Sequence, residues 1–278
     1  MLLRRYLGKL KRRICRNKQS LSNNRNKNQI NLEWWNYKKN LGDYLALVIY
    51  KWILDKYSLN KDKKISKTIH LMTVGSIIGM KQFDAVIWGS GIHCLGSVKA
   101  IMKGKKYIKY DIRAVRGPIT RFLLMSAGYS CPENYGDPGI LMPLIYKPNN
   151  ISKEYKISVI YHLSQANEKR RESLNYIDIQ TIDYKNFINE ILKSELIISS
   201  SLHGIILAES YGVPAIFLNE KMDNEIIKFF DWYYSTERYN VQIAKSMDEA
   251  LNIKPMELPN LDDMRNRLLE SFPKDLWQ

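Results

Sequence analysis

From Ile157 onward the chain alternates short apolar runs with helix-length stretches, and this alternation restricts the fold more than any other feature. Ile157 to Leu163 and Tyr176 to Ile182 read as strands, Phe187 to Lys193 as a helix and Glu195 to Ser199 as a strand again. Ser200-Ser201-Leu202-His203-Gly204 then turns into a helix that runs through Tyr211 and is closed by Gly212, with Pro214 to Leu218 as the next strand. Alternation of this kind implies an α/β fold with a doubly wound parallel sheet. Ligands of such sheets bind beyond the carboxyl ends of the strands, which puts Ser-Ser-Leu-His-Gly where chemistry is expected.

The first half carries the same signals less regularly. Trp34, Trp35 and Tyr37 lead into Asn40-Leu41-Gly42-Asp43 and an apolar helical run from Tyr44 to about Tyr57, for which Asp43 is a candidate N-cap. Thr68 to Val74 and Ala85 to Trp88 read as buried strands, the second ending in Gly89-Ser90-Gly91. Pro118 fits the first position of a helix over 119–127 that Gly128 would end. Tyr135-Gly136-Asp137-Pro138-Gly139 is a turn, and the polar break at Lys147 to Asn150 places a domain boundary. The expected organisation is a segment and linker at 1–29, a Rossmann-like domain at 30–147 and a second at 151–278, whose last helix can pack back on the first domain.

Charge is unevenly spread. Of 278 residues, 43 are Lys or Arg and 28 are Asp or Glu, giving +15, yet residues 1–28 alone hold ten basic residues and no acid. The remainder is only mildly basic, and no folded recognition motif with interleaved aromatics is present, so a nucleic-acid partner is not expected. Leu3, Tyr6, Leu7, Leu10 and Ile14 recur at helical spacing among basic residues. Residues 1–16 thus read either as a basic amphipathic helix suited to an anionic membrane surface or as a solvated tail. Three scattered cysteines, no membrane-length apolar run and no leader pattern predict a cytoplasmic protein, with possible attachment at the inner face of the plasma membrane. No metal-ligand spacing occurs, so no metal is expected.

Several residues are suited to chemistry. His203 stands between a strand end and a helix start, beside Gly204, where amides and the helix dipole favour an anion and an imidazole can exchange protons. The alternative is a histidine that caps or packs the helix start. Arg116, with Arg113 and Arg121 close by in sequence, offers guanidinium donors at another helix start, suited to phosphate or carboxylate. One of these arginines could equally be a structural partner of Asp111 or Asp137. Asn40, Gly42 and Asp43 suit contact with substrate hydroxyls or simple capping. Ser90, His93, Asp137 and Glu209 are further candidates, Asp137 also being a turn former. His70 and His162 lie inside apolar segments and read as core or edge residues.

Taken in order, these segments resemble the polysaccharide pyruvyl transferase family. The pieces are Asn40-Leu41-Gly42-Asp43, Trp88-Gly89-Ser90-Gly91, Arg113 to Arg121 (RAVRGPITR), Tyr135 to Pro143 (YGDPGILMP), Ser199 to Gly212 (SSSLHGIILAESYG) and Asp231 to Ser235. The resemblance implies two facing Rossmann-like domains, GT-B-like, with donor and acceptor in the cleft between them. It implies transfer of the pyruvyl group of phosphoenolpyruvate, as donor substrate without a cofactor, to a sugar of a surface polysaccharide or its lipid-linked repeat unit, forming a pyruvate ketal. His203 would be the catalytic acid or base. Arg116, Arg113, Arg121, Ser201 and Gly204 would hold the donor, and Asn40, Gly42, Asp43, Gly89, Ser90, Gly91, Asp137 and Glu209 would line the cleft. Some relatives have Arg before the Leu-His pair where this chain has Ser201, so a donor contact made by that arginine must be absent or supplied elsewhere. The same architecture could host a glycosyltransferase using a nucleotide sugar, or a non-catalytic scaffold of polysaccharide assembly.

Overall fold

The computed structural model describes residues 27–80, 83–165, 168, 170–221 and 225–278. The amphipathic reading of residues 1–16 falls outside the described residues. Two parallel sheets organise the chain. The first contains β1 (Ile30–Glu33), β2 (Ile69–Met72), β3 (Ala85–Trp88) and β4 (Tyr110–Ala114), hydrogen-bonded in that order. The second contains β5 (Tyr155–Ile160), β6 (Asn175–Tyr176), β7 (Ser194–Ser199), β8 (Ala215–Leu218) and β9 (Ile243–Ala244), in the order β6-β5-β7-β8-β9. Every side chain of β3 and of β8 is buried, as continuous apolar runs in parallel sheets require.

Parallel neighbours need crossovers, and helices supply most of them. In the first half these are α1 (Leu41–Lys56) between β1 and β2 and α2 (Leu95–Gly104) between β3 and β4, followed by α3 (Pro118–Ser126) and the short α4 (Met142–Ile145). In the second half α5 (Tyr184–Leu192), α6 (Leu202–Ser210) and α7 (Ile226–Ser235) separate successive strands, and α8 (Met247–Asn252) and α9 (Asp262–Glu270) follow. The fold is therefore mixed α/β with parallel sheets, compatible with Rossmann-like architecture. Sequence patterning located most of the central elements within a few residues. The expected strand Tyr176 to Ile182 is shorter: only Asn175–Tyr176 pairs, and the chain then leaves the sheet.

The main apolar core draws on both halves, including Leu45 and Ile49 of α1, Trp88 of β3, Ile197 of β7, Ile206 of α6 and Leu268 of α9. The Leu41 amide at the start of α1 donates to the carbonyl of Ile179 (2.9 Å), which ties that helix start to the second half of the chain. The C-terminal segment returns to the first sheet, where Trp88 Nε1 donates to the Leu268 carbonyl (2.9 Å) and Phe272 meets the Trp88 ring edge-on. No described helix is long and apolar enough to cross a membrane.

Candidate active site

Residues that follow strands of both sheets line one cavity of about 240 Å³: Trp35 after β1, Ser76 after β2, His93 after β3, His162 after β5 and Ser201 after β7. Asn40 and Asp43 at the start of α1, His203 of α6 and Lys228 of α7 complete its polar lining. This is the carboxyl-end position at which open α/β sheets bind ligands.

The first helix start is capped by Asn40, not by Asp43 as the sequence suggested. Asn40 is extended (φ −152°), its Oδ1 accepts from the Gly42 amide at 3.3 Å and its Nδ2 donates to Asp43 Oδ2 at 2.6 Å. The helix therefore begins three residues earlier than the sequence pattern indicates, and Asp43 is released from capping into the first turn. Burial there pushes its carboxyl up to about 6, against the opposing effect of nearby His203 and Lys228.

The second helix start brings His203 against the first. A β-carbon on Gly42 would collide with the His203 ring, so the missing side chain makes room for the imidazole. His203 Nε2 lies 3.6 Å from Asp137 Oδ2, and neither atom has a hydrogen-bond partner among the described residues. The other oxygen of Asp137 accepts from the Gly139 amide (2.9 Å), capping the helical turn Pro138–Leu141. Asp137 is thus a turn former on one oxygen and faces His203 with the other. Ser201 lines the cavity, and Gly204 packs tightly on Ser199 and Ile160 where α6 leaves the sheet.

The arginines lie elsewhere. Arg116 is fully buried: Nε donates to Asp231 Oδ2 (3.0 Å), Nη1 to Ser76 Oγ (2.5 Å) and Nη2 to the Ile92 carbonyl (3.0 Å). Its partner is neither Asp111 nor Asp137. It stands behind the cavity wall, touching the lining residue Ser76. Arg113 pairs at the surface with Asp111 and Asp275, and Arg121 Nε donates to the Cys131 carbonyl (3.2 Å). The remaining candidates also face inward: Ser90 donates to the Gly75 carbonyl, Gly89 packs on Pro138, Gly91 packs on the Arg116 guanidinium, and Glu209 accepts from Trp232 and Arg238.

Two titratable residues of the cavity, His162 and Lys228, lie outside the set the sequence singles out. His162, read as core or edge, lies at the cavity because β5 ends at Ile160 and turns its next residues to the opening. His93, one of the further candidates, also lines the cavity. Lys228 had no signal, because α7 was not recognised as a helix; its position three residues before Asp231 in the motif Asp-Trp-Tyr-Tyr was the available clue. Two carboxylates and three imidazoles can move protons here, and the ammonium of Lys228 can hold negative charge. Among the described residues no cluster of three or more His, Cys, Asp or Glu side chains is placed to hold a metal ion.

Residues 26–221 match the polysaccharide pyruvyl transferase family. The chain belongs to that family. It is 32% identical over 177 residues to an uncharacterized protein of Acanthamoeba polyphaga mimivirus, covering 59% of this chain and 58% of that one. It is 27% identical over 209 residues to succinoglycan biosynthesis protein ExoV of Rhizobium meliloti (strain 1021), covering 72% of this chain and 62% of the relative. The matches thus span about six tenths of the length of these curated relatives. A solved structure of a functionally uncharacterized protein from Klebsiella pneumoniae subsp. pneumoniae NTUH-K2044 aligns over 86% of this chain and 98% of its own at 16% identity, with a TM-score of 0.49.

Proposed function

We propose that the chain transfers the pyruvyl group of phosphoenolpyruvate to two hydroxyls of a polysaccharide sugar, forming a cyclic ketal and releasing inorganic phosphate. Family membership supports the reaction class, and the observation that carries the assignment of roles is the meeting of Asp43 and His203 across one cavity. The two halves of the chain are read as Rossmann-like units arranged in the GT-B manner, with donor and acceptor entering this cavity. A lipid-linked acceptor and attachment of residues 1–16 to an anionic membrane belong to the same reading.

The chemistry requires a proton at the methylene carbon of the donor. Protonation leaves positive charge on the adjacent carbon, which one sugar hydroxyl attacks while losing its proton. The second hydroxyl forms the other C–O bond, the bond to phosphate breaks, and that bonding pair leaves with the phosphate. Two hydroxyl protons are lost in total: one replaces the proton consumed at carbon, and the other departs with phosphate.

Asp43 suits the acid role, since a carboxyl held protonated towards neutral pH can both donate and recover a proton. His203 suits the base role. Asp137 faces its Nε2 and would stabilise the imidazolium that forms when His203 takes a hydroxyl proton. Arg116 acts at one remove, holding Ser76 at the cavity wall. Thermal melting tests donor identity, because a ligand that binds only the folded chain raises its melting temperature. Phosphoenolpyruvate should do so; stabilisation by nucleotide sugars and none by phosphoenolpyruvate would overturn the reading.

A further inference from the structure

Beside the acid and base, the cavity carries a second cluster of charged and titratable groups. Lys228 is the only lysine or arginine among its described lining residues, and its side chain is only 7% exposed. Its ammonium meets the carboxylate of Glu225, one helical turn earlier. Two imidazoles converge on the same carboxylate: His93 Nε2 lies 3.3 Å from Oε1 and His162 Nε2 lies 3.9 Å from Oε2. The hydrogen bond with His93, with Lys228 adding to it, holds the Glu225 carboxyl far below its usual range, and in return raises the His93 imidazole.

Position separates this carboxylate from its three partners. Glu225 lines a smaller adjoining pocket with Ser200, Asn219 and Lys221, whereas Lys228 and His162 line both that pocket and the main cavity, and His93 lines the main cavity. A nearly buried ammonium needs a negative partner. Glu225 supplies it from the adjoining pocket. Arg113, Arg116 and Arg121 are not among the cavity-lining residues.

We propose that Lys228, His93 and His162 form the seat for the anionic group of the donor, and that Glu225 is an internal counter-ion whose place a phosphate or carboxylate of the donor takes. The proposal rests on the donor reading above and assigns the residues that would recognise that donor. A phosphate presents three acceptor oxygens to the three cationic or donor groups, where the Glu225 carboxylate presents two. The flexible stem of lysine lets its ammonium turn from one pocket to the other without moving α7.

Calorimetric titration of the full chain tests the seat with two probes, phosphoenolpyruvate and inorganic phosphate, each variant being checked for an intact fold by circular dichroism. Lys228→Ala should weaken both by at least roughly tenfold, and Glu225→Gln should tighten both several-fold. Should Lys228→Ala not fold, Lys228→Gln keeps most of the stem and serves in its place. Wild-type affinity in the lysine variant overturns the seat, and unchanged or weaker binding in Glu225→Gln overturns the counter-ion. Lysine-dependent binding of phosphate with no binding of phosphoenolpyruvate would keep the seat and reject the donor reading. Lysine-independent binding of phosphoenolpyruvate would do the reverse, and no binding of either probe by the wild type would reject both.

Discussion

Gly42 leaves open the space that the His203 imidazole occupies. The contact joins the first turns of two helices from different halves of the chain. Gly42→Ala should favour α1 by about 1 kcal/mol of intrinsic propensity, yet push the imidazole out of place. Turnover should fall by about tenfold to a hundredfold, as a displacement near 1 Å in a reacting group does, with the melting temperature little changed. Full activity in the alanine variant would show that His203 does not need its present position.

Asp137 faces His203 at 3.6 Å and caps a helical turn with its other oxygen. Asp137→Asn keeps an acceptor for the Gly139 amide but loses the charge beside the imidazole. The expected result is a kcat lower by about two to four orders of magnitude, with KM for phosphoenolpyruvate nearly unchanged. His203→Ala should lose a similar factor, and the double variant little more, because the two act as one unit. A large rise in KM without loss of kcat would make Asp137 a binding residue instead.

The carboxyl of Asp43, raised to about 6, predicts a pH dependence. The acid must be protonated, so kcat should fall as pH rises through about 6, and Asp43→Asn should abolish that limb along with most of the activity. Stability carries the matching sign. The folded chain binds this proton more tightly than the unfolded chain, so the contribution of Asp43 improves as pH falls from above 6 towards 4 and is lost as pH rises through 6. Unfolding in denaturant across that range, wild type against Asp43→Asn, isolates the contribution.

Much of this site was legible in the sequence, for identifiable reasons. His203 and Gly204 follow a buried strand and open a helix, and Asn40-Leu41-Gly42-Asp43 reads as a helix start from residue types alone. Such local signals survive folding because capping and chain reversal are local events. What the sequence could not show was distance. Arg116 looks like an exposed anion binder until Asp231, 115 residues away, is found on its Nε. Lys228 looks like an ordinary charged residue until the fold sets it beside Asp43 and His203. His162 sits in an apolar run, and only the end of β5 at Ile160 determines that it faces the opening.

The pair Arg116–Asp231 is fully buried, and Thr120 adds two hydrogen bonds to the same carboxylate. Removing one partner leaves an uncompensated buried charge, so Arg116→Ala should lower unfolding stability by about 3–5 kcal/mol. Asp231→Asn should also destabilise, and the double variant should cost less than the sum of the two, because each single change removes the same contact. Chemical denaturation of the four proteins measures this. Additive losses, or a small effect of Arg116→Ala, would show that the ion pair does not carry the contact between α3 and α7.

In the proposed reaction this cavity protonates the methylene carbon of phosphoenolpyruvate and delivers the resulting pyruvyl carbon to two sugar hydroxyls. The most direct measurement is to incubate the full chain in heavy water with phosphoenolpyruvate carrying a carbon isotope at the methylene, together with a panel of glycans, and to analyse the products by NMR and mass spectrometry. The expected product is a pyruvate ketal on a sugar, its labelled methyl group carrying one deuterium from solvent, with inorganic phosphate released in equal amount. Transfer of a whole sugar from a nucleotide sugar to the same acceptor, with the labelled phosphoenolpyruvate unchanged, would contradict it.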